Sequence, residues 1–231
     1  MLAMHSAAES KARRTNEANS KEETEAPFGL GVVLRLKPNE TLFSEGDAAA
    51  SFYQIKEGVI RSFRMMIDGR RQIISFSQPG DYLGLEWEGD RAMTAEAIID
   101  TAVVSYPRRH LEGRATADVR VQNRMMAVLF GGLHNAQEHL VMLGRQTAME
   151  KLGWFLVRLA RSSRMNNGAL ALPMNRTDIA DYLGLSMETV SRGFSLLTRE
   201  GYIALPDAHQ VCIRNFKRLD ALARGEVPTA H

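Results

Sequence analysis

The sequence has little cysteine and no long apolar run. Cys212 is the single cysteine among 231 residues, which excludes an internal disulfide and fits a reducing compartment. No stretch of eighteen or more apolar residues occurs, so we expect no transmembrane helix. The N-terminus also lacks the apolar segment that a signal peptide needs. We therefore expect a cytoplasmic protein that does not bind membranes.

The sequence motifs of common enzymes and cofactor sites are missing as well. There is no P-loop and no Gly-x-Ser-x-Gly elbow, and Gly29-Leu-Gly31 lacks the later glycine of a dinucleotide-binding loop. His134 and His139 are five residues apart, which places them on different faces of a helix rather than on one metal site. We expect no enzymatic activity, no cofactor and no metal.

What is present is an ordinary globular composition with an uneven charge distribution. Apolar residues make up 45% and charged residues 24% of the chain, and the length allows two small domains, each with its own core. Residues 145–231 contain 12 Lys or Arg against 8 Asp or Glu, whereas residues 1–144 contain 17 against 19. The C-terminal part therefore carries the positive charge that phosphate binding requires.

The segment Asn175–Tyr202 predicts two short helices joined by a tight turn. Asn175 is suited to cap the first helix, with Asp178 favourably placed in its first turn. Gly184 permits a left-handed backbone where that helix ends, and Ser186 is suited to cap a second helix from Met187 to about Glu200. The first helix has an apolar face made by Ile179, Ala180 and Leu183. This pattern is typical of a helix-turn-helix that reads DNA.

The second helix separates a polar stripe from an apolar face. At about 100° per residue, the polar side chains share one narrow stripe, formed by Glu188, Ser191, Arg192, Ser195 and Arg199. Arginine pairs with guanine, glutamate accepts from cytosine and serine does either, so Glu188, Ser191 and Arg192 are the predicted base contacts. The alternative is that Glu188 and Arg192 form only a solvated ion pair four residues apart.

Backbone phosphates need a second set of contacts around these helices. The predicted phosphate contacts are Arg176, Thr177, Ser186, Thr189 and Arg199. Beyond Tyr202, the segments 203–205 and 210–214 flank a Pro-Asp-Ala-His turn and predict a β-hairpin wing, where Arg214 and Lys217 are available to phosphate.

The N-terminal half predicts a short disordered tail followed by an all-β unit. Residues 1–28 are polar without an apolar period. The segments with strand character then follow: 32–36, 41–43, 52–56, 59–66, 71–78 and 101–106. Asp68-Gly69 between two of them is a strong hairpin signal. Short strands with regular turns favour a rolled or closed β-structure.

Between the two halves, residues 117–143 predict a long helix with an apolar seam spaced three and four residues apart. The seam consists of Met126, Leu129, Leu133, Ala136, Leu140 and Leu143. This spacing is typical of a two-stranded coiled coil and predicts a homodimer. The alternative is a single amphipathic helix packed on its own β-domain. Phe130, Val141 and Met142 widen the apolar face, so packing on a partner helix and packing on the β-domain both remain open.

Together these segments resemble the CRP/FNR family of transcription regulators from about residue 29 onward. The run Glu188-Thr-Val-Ser-Arg192 looks like that family's recognition helix, and it is closest to the FNR and FixK branch, which shows Glu-x-x-Ser-Arg. Met187 stands where CRP itself has an arginine. The resemblance implies an α+β fold with a tail at 1–28, a cyclic-nucleotide-binding-type β-roll at 29–115, a dimerisation helix at 116–144 and a winged helix-turn-helix at 145–231.

The resemblance also implies a function. A FixK-like regulator is expected to bind double-stranded DNA as a homodimer at a TTGAT-type palindrome and to recruit RNA polymerase, mainly as an activator. The expected targets are genes for low-oxygen respiration, denitrification or nitrogen fixation. The alternative is a CRP-like regulator that a small molecule in the β-roll switches.

The residues that would bind cyclic AMP in a CRP-like site are mostly changed. Leu85 stands where the resemblance places a ribose-binding glutamate, and Ala92 where it places a serine. Arg91 remains, but three acids surround it: Glu86, Glu88 and Asp90. We expect Arg91 to be an exposed loop residue paired with these acids, and we expect the site not to bind a cyclic nucleotide.

The number of cysteines distinguishes the FNR branch from the FixK branch, and this chain has only Cys212. FNR-type members hold an iron–sulfur cluster through four cysteines, and one cysteine cannot do so within a chain. Cys212 alternates with Val211 and Ile213 in the wing, so an oxidisable thiol and a passive side chain both remain open.

Overall fold

The computed structural model describes residues 23–26, 28–86, 89–109, 118–145, 147–162 and 169–226. Within these residues, nine strands belong to the N-terminal domain: β1 (Glu23–Ala26), β2 (Gly29–Leu36), β3 (Thr41–Phe43), β4 (Ser51–Glu57), β5 (Ile60–Met65), β6 (Arg71–Ser77), β7 (Tyr82–Leu83), β8 (Thr94–Ala97) and β9 (Thr101–Pro107). The long helix α1 (Val119–Arg145) follows, and α2 (Ala148–Ser162) comes next.

The C-terminal domain combines three further helices with a small sheet. In chain order these elements are β10 (Leu170–Ala171), α3 (Arg176–Leu183), α4 (Met187–Arg199), β11 (Ile203–Asp207), β12 (Gln210–Ile213) and α5 (Phe216–Ala223). The sheet order is β10-β12-β11, so the predicted wing is a hairpin with a third short strand at its edge. Within the described residues, no helix is long and apolar enough to cross a membrane.

The β-roll consists of two antiparallel sheets, as the predicted fold class requires. One sheet has the order β1-β2-β9-β4-β7 and the other β3-β8-β5-β6. Apolar side chains alternate into the space between them, and Ile55, Ile60 and Val103 are fully buried there. Gly69 has φ 83°, which suits the predicted turn between β5 and β6.

Several elements differ from the predictions. Strand β1 lies inside the predicted tail and pairs with β2, from Glu23 opposite Val32 to Ala26 opposite Gly29, so a sheet edge forms before residue 29. The rest of the tail lies outside the described residues, as do Trp87 and Glu88 and the segment 110–117 between the β-roll and α1. Strands β7 and β8 and helix α5 were not predicted.

Helix α1 has one face on the β-roll and another in solvent. Val121, His139 and Met142 are buried against the protein's own domains. About 100° around the helix, most seam residues are exposed: Met126 44%, Leu129 39%, Leu133 56% and Leu140 68%. Ala136 is also exposed, while Leu143 is half-buried. The inner face is therefore occupied within the protomer, and most of the seam is not.

Side chains of the β-roll join the apolar core of the C-terminal domain. Phe63 and Ile73 of the β5–β6 hairpin belong to the same buried cluster as Ile179 and Tyr182 of α3. The ring centroids of Phe76 and Tyr182 lie 5.0 Å apart. The second sheet of the roll therefore packs directly on the first helix of the helix-turn-helix.

Candidate nucleic-acid interface

The helix-turn-helix has the end signals that the sequence predicts. The Asn175 side chain accepts a hydrogen bond from the Asp178 amide at 2.8 Å, and Gly184 ends α3 in the left-handed region at φ 63°. The Ser186 hydroxyl accepts from the Thr189 amide at 3.1 Å. Side-chain caps satisfy amides that a helix start leaves unpaired, so both helices begin at defined residues.

The predicted base-reading stripe is exposed along its whole length. Glu188, Ser191, Arg192, Ser195 and Arg199 all lie on the solvent side of α4. On the opposite side, Val190, Phe194 and Leu197 are at most 1% exposed. Because burial fixes the rotation of α4 about its axis, the polar stripe has one direction in which it can meet a ligand.

Gly193 allows α4 to lie close to α2. A Cβ atom at this position would stand 2.1 Å from Cδ1 of Leu152, a fully buried side chain. Atoms cannot approach so closely, so a larger residue would require either the Leu152 side chain or α4 to shift. The close approach of two helices at Gly193 is therefore between α4 and α2.

Glu188 and Arg192 do not form the ion pair that was the alternative interpretation. Among the ion pairs of the described residues, none within 4.0 Å joins these two side chains. Arg192 instead places its Nε 3.4 Å from the Glu188 carbonyl oxygen. The helix-start amide of Glu188 and the Ser186 hydroxyl lower the pKa of the Glu188 carboxyl, and the charge of Arg192 lowers it less. Both side chains keep their outer polar atoms toward solvent.

The predicted phosphate contacts surround this stripe but differ in their environment. Thr177 and Ser186 are exposed, and the hydroxyls of Ser186 and Thr189 lie 3.0 Å apart. Arg199 is exposed and lies 3.8 Å from the Glu200 carboxylate. Arg176 is half-buried, with its guanidinium carbon 3.7 Å from the centroid of the Phe194 ring.

The wing and α5 extend the basic surface. Arg214 and Lys217 are exposed next to β12. Arg218, on the unpredicted α5, lies over the Tyr202 ring at 4.2 Å and donates to the Glu200 carbonyl at 2.9 Å. Asn215 caps this helix through the Arg218 amide, so the capping residue was the signal that could have predicted α5. Cys212 is half-buried opposite Ala204 in the wing sheet.

One residue of the β-roll, Arg91, differs from its predicted exposure. Arg91, predicted to be an exposed loop residue, is 3% exposed. It pairs with the Glu86 carboxylate at 2.9 Å and donates to the Ser51 carbonyl. Its guanidinium also lies over the Phe43 ring at 4.3 Å. Three neighbours inside the roll therefore occupy the side chain that a cyclic nucleotide would need for its phosphate.

Sequence reasoning missed a polar cluster between the two domains. Arg61 and Arg71 of the β5–β6 hairpin pair with Asp178 and Asp181 of α3. Asp178 lies in the first turn of α3 as predicted, and it is also buried, at 1% exposed. Its burial depends on residues more than 100 positions away, so no local pattern indicates it. Among the described residues, no group of three or more His, Cys, Asp or Glu side chains could hold a metal ion.

Comparison with known families matches both halves of the chain. Residues 33–118 match the cyclic nucleotide-binding domain, and residues 150–222 match the Crp-like helix-turn-helix domain.

Individual proteins match across most of the chain. The nitrogen fixation regulation protein FixK of Rhizobium meliloti is 38% identical over 195 residues, which cover 84% of this chain and 88% of FixK. The transcriptional activatory protein AadR of Rhodopseudomonas palustris is 41% identical, with 84% of this chain and 82% of AadR covered.

A solved structure agrees with the fold. FixK2 from Bradyrhizobium japonicum superposes with a TM-score of 0.80 at 40% identity, covering 87% of this chain and 99% of FixK2. This match extends over the β-roll, the long helix and the helix-turn-helix. The chain therefore belongs to the CRP/FNR family of DNA-binding transcription regulators, close to its FixK members.

Proposed function

We propose that this protein is a homodimeric activator of transcription that reads a TTGAT-type palindrome with α4 and recruits RNA polymerase in the cytoplasm. The observation that carries the proposal is the exposed stripe on α4, whose opposite face is buried. A helix held in this way presents the same side chains to every DNA duplex that it meets.

Different side chains are proposed to read bases and to position the protein on phosphates. Arg192 has the two donors that match guanine O6 and N7, and Glu188 has the acceptor that matches the cytosine amino group. Ser191 lies between them on the same exposed face. The five predicted phosphate contacts, together with Arg214 and Lys217, supply the sequence-independent part of binding.

A second copy of the chain is proposed to cover the seam of α1. Leu133 and Leu140 are more than half exposed, and an exposed apolar row at this spacing is typical of a coiled-coil interface. The dimer would bring two α4 helices to successive major grooves, about 34 Å apart. A palindrome is the DNA sequence that matches such two-fold symmetry.

The proposed targets are genes for low-oxygen respiration, denitrification or nitrogen fixation. The support is the similarity to two proteins named as FixK nitrogen fixation regulators and to the activator FnrL of Cereibacter sphaeroides, which is 33% identical over 187 residues. Cys212 is the single cysteine, so we propose that the chain acts without a cluster of its own.

A ligand-responsive regulator is the second candidate, because a cavity of about 830 Å³ lies between the β-roll and α1. This volume is in the range of small-molecule sites. Leu85, Met93 and Leu140 are among its lining residues, whereas Arg91 does not line it in the part of the chain that the structure describes. Seam residues form one wall, so a partner protomer would cover part of it.

The proposal is tested by binding the purified protein to labelled duplexes in fluorescence anisotropy. A TTGAT-type palindrome should bind far more tightly than a scrambled duplex of equal length at the same salt concentration. Equal affinity for both duplexes would contradict the proposed function. Footprinting across the genome under low oxygen would then identify the promoters.

A further inference from the structure

A buried cluster of charged side chains joins the β-roll to the helix-turn-helix. Arg61 of β5 lies 3.3 Å from the Asp178 carboxylate of α3, and Arg71 of β6 lies 2.5 Å from its other oxygen. Arg71 also donates to the Asp181 carboxylate at 2.8 Å. One carboxylate of the DNA-binding domain is therefore held between two guanidinium groups of the β-roll.

The β-roll itself holds Arg61 in place. The guanidinium of Arg61 also donates to Glu96 of β8 at 2.8 Å and to Asn39 at 3.0 Å. An arginine with partners on both sides has little freedom of rotation, so its fork prescribes where the Asp178 carboxylate must lie. The hydrogen bonds of the cluster depend on the direction of donor and acceptor, whereas apolar contacts do not.

Burial distinguishes this cluster from ordinary surface ion pairs. The side chain of Asp178 is 1% exposed and that of Arg61 is 10% exposed. Exposed pairs contribute little, whereas the loss of one partner from a buried pair leaves an uncompensated charge. A change in the angle between the two domains would expose these charges or separate them from their partners. The surrounding contacts therefore oppose such a change.

Neutral contacts beside the cluster hold the same surface. The Gln72 side chain donates to the Asp181 carbonyl at 2.7 Å, and the Phe76 ring packs on Tyr182. The recognition stripe on α4 takes no part in this surface and remains exposed. The arrangement thus fixes the domain without covering the residues proposed to read DNA.

We propose that Arg61, Arg71 and Asp178 are positioning residues for DNA recognition. They hold the helix-turn-helix at one angle to the β-roll and α1, and in a dimer they thereby fix the separation and direction of the two α4 helices. Binding of the second half-site then requires no reorientation, which raises its effective concentration. This inference rests on the proposed function, because it assumes a dimer that reads a palindrome.

Two variants and one matched control test the proposal. Asp178→Asn keeps the shape but removes the charge, and Arg71→Gln removes one guanidinium from the β-roll side. Arg70→Gln is the control, because Arg70 is the neighbouring residue with the same charge but is 82% exposed and pairs with Asp68. Circular dichroism and thermal unfolding establish which variants fold, and either folded variant suffices.

The first measurement compares DNA duplexes by anisotropy: a palindrome, the same palindrome with one base pair added to or removed from its centre, and a single half-site. The folded variants should lose about tenfold in affinity for the palindrome, keep half-site affinity within about twofold, and discriminate less between spacings. Arg70→Gln should behave as the unchanged protein. An equal loss of affinity for all duplexes would indicate a merely structural role. Tighter binding of the palindrome would indicate that the cluster holds an arrangement that does not bind DNA. Either result overturns the proposal.

The second measurement does not depend on DNA. Spin labels at Lys56→Cys in the β-roll and Ser195→Cys on α4, in a Cys212→Ser background diluted with unlabelled protein, report the distance between the domains. The distribution should be narrow in the unchanged protein and in Arg70→Gln, and broad in Asp178→Asn and Arg71→Gln. Unchanged distributions in both variants overturn the proposal. If the unchanged protein fails to select the palindrome, the proposed function fails, and the positioning of DNA recognition is overturned with it. If the palindrome preference is intact but the distances between the domains are unchanged in the variants, only the positioning role is refuted.

Discussion

The central carbon of the Arg176 guanidinium lies over the Phe194 ring, 3.7 Å from the ring centroid. This contact joins the start of α3 to the buried face of α4 and is of the cation–π kind. Burial lowers the pKa of Arg176 from its ordinary value. A side chain predicted to meet phosphate is thus also part of the packing between the two helices.

Arg192→Ala and Arg176→Ala should weaken DNA binding in different ways. Loss of Arg192 should cost about 1–3 kcal/mol per half-site and abolish discrimination at one G·C step, because a bidentate base contact is removed. Loss of Arg176 should weaken all sequences together and reduce the salt dependence. The measurement is a binding series on operators with each half-site base changed in turn. Retained discrimination by Arg192→Ala at that step would show that the stripe does not read bases.

Leu133→Asp should convert the protein from a dimer to a monomer. The substitution places a charge in the proposed interface, at a cost on the order of several kcal/mol if the carboxylate stays unpaired. Val141→Asp is the matched control, because Val141 is similarly exposed at 62% but lies on the outer face of α1. Analytical ultracentrifugation at micromolar concentration separates the two states. A dimer of Leu133→Asp would contradict the seam assignment.

Cyclic AMP should leave operator binding unchanged. The Arg91 guanidinium is already engaged by Glu86 and by the Ser51 carbonyl, so a phosphate would have to displace a half-buried carboxylate. Anisotropy titrations with and without the nucleotide, and calorimetry of the nucleotide alone, measure this. A large rise in affinity would support the ligand-responsive alternative.

The same glycine-to-alanine change should have opposite effects in two helices. Gly131→Ala should raise the free energy of unfolding by about 1 kcal/mol, because no atom lies within 4 Å of the added methyl and alanine favours helix. Gly193→Ala should lower it by about 1–3 kcal/mol, because the methyl meets Leu152. Urea unfolding of both variants is the measurement. A neutral Gly193→Ala would show that Leu152 can move aside.

His139 should make the protein less stable in mild acid. Burial lowers the pKa of His139 from 6.5, the Tyr182 carbonyl opposes this through a hydrogen bond, and the charges of Arg158 and Lys151 lower it further. As pH falls below about 6.5, the unfolded chain gains a proton that the native ring does not take up, so the free energy of unfolding falls until the native pKa is reached.

The test is urea unfolding between pH 5 and 7.5 for the unchanged protein and His139→Gln. The variant should lose part of the pH dependence in this window. His134→Gln is the control, because His134 is exposed on the same helix. An unchanged slope in His139→Gln would mean that another group titrates.

The local features of the helix-turn-helix were predictable because their causes lie within a few residues. Asn175 and Ser186 cap amides three positions ahead, and Gly184 supplies the left-handed turn. The rotation of α4 followed from its apolar period. The short strands β7 and β8 were not predicted, because their pairing with β4 and with β3 and β5 decides them rather than a local pattern.

The sequence by itself determined the order of the β-roll, long helix and winged helix-turn-helix, together with the side chains that α4 presents, because capping, periodicity and turn chemistry act over short distances. Only the tertiary structure decided the partners of Arg91 and Asp178. Whether a charged side chain is exposed or buried depends on which distant groups surround it, and Asp178 meets Arg61 across 117 positions of the chain. The exposed stripe of α4 is therefore a local property, and the angle at which it is held is a property of the whole fold.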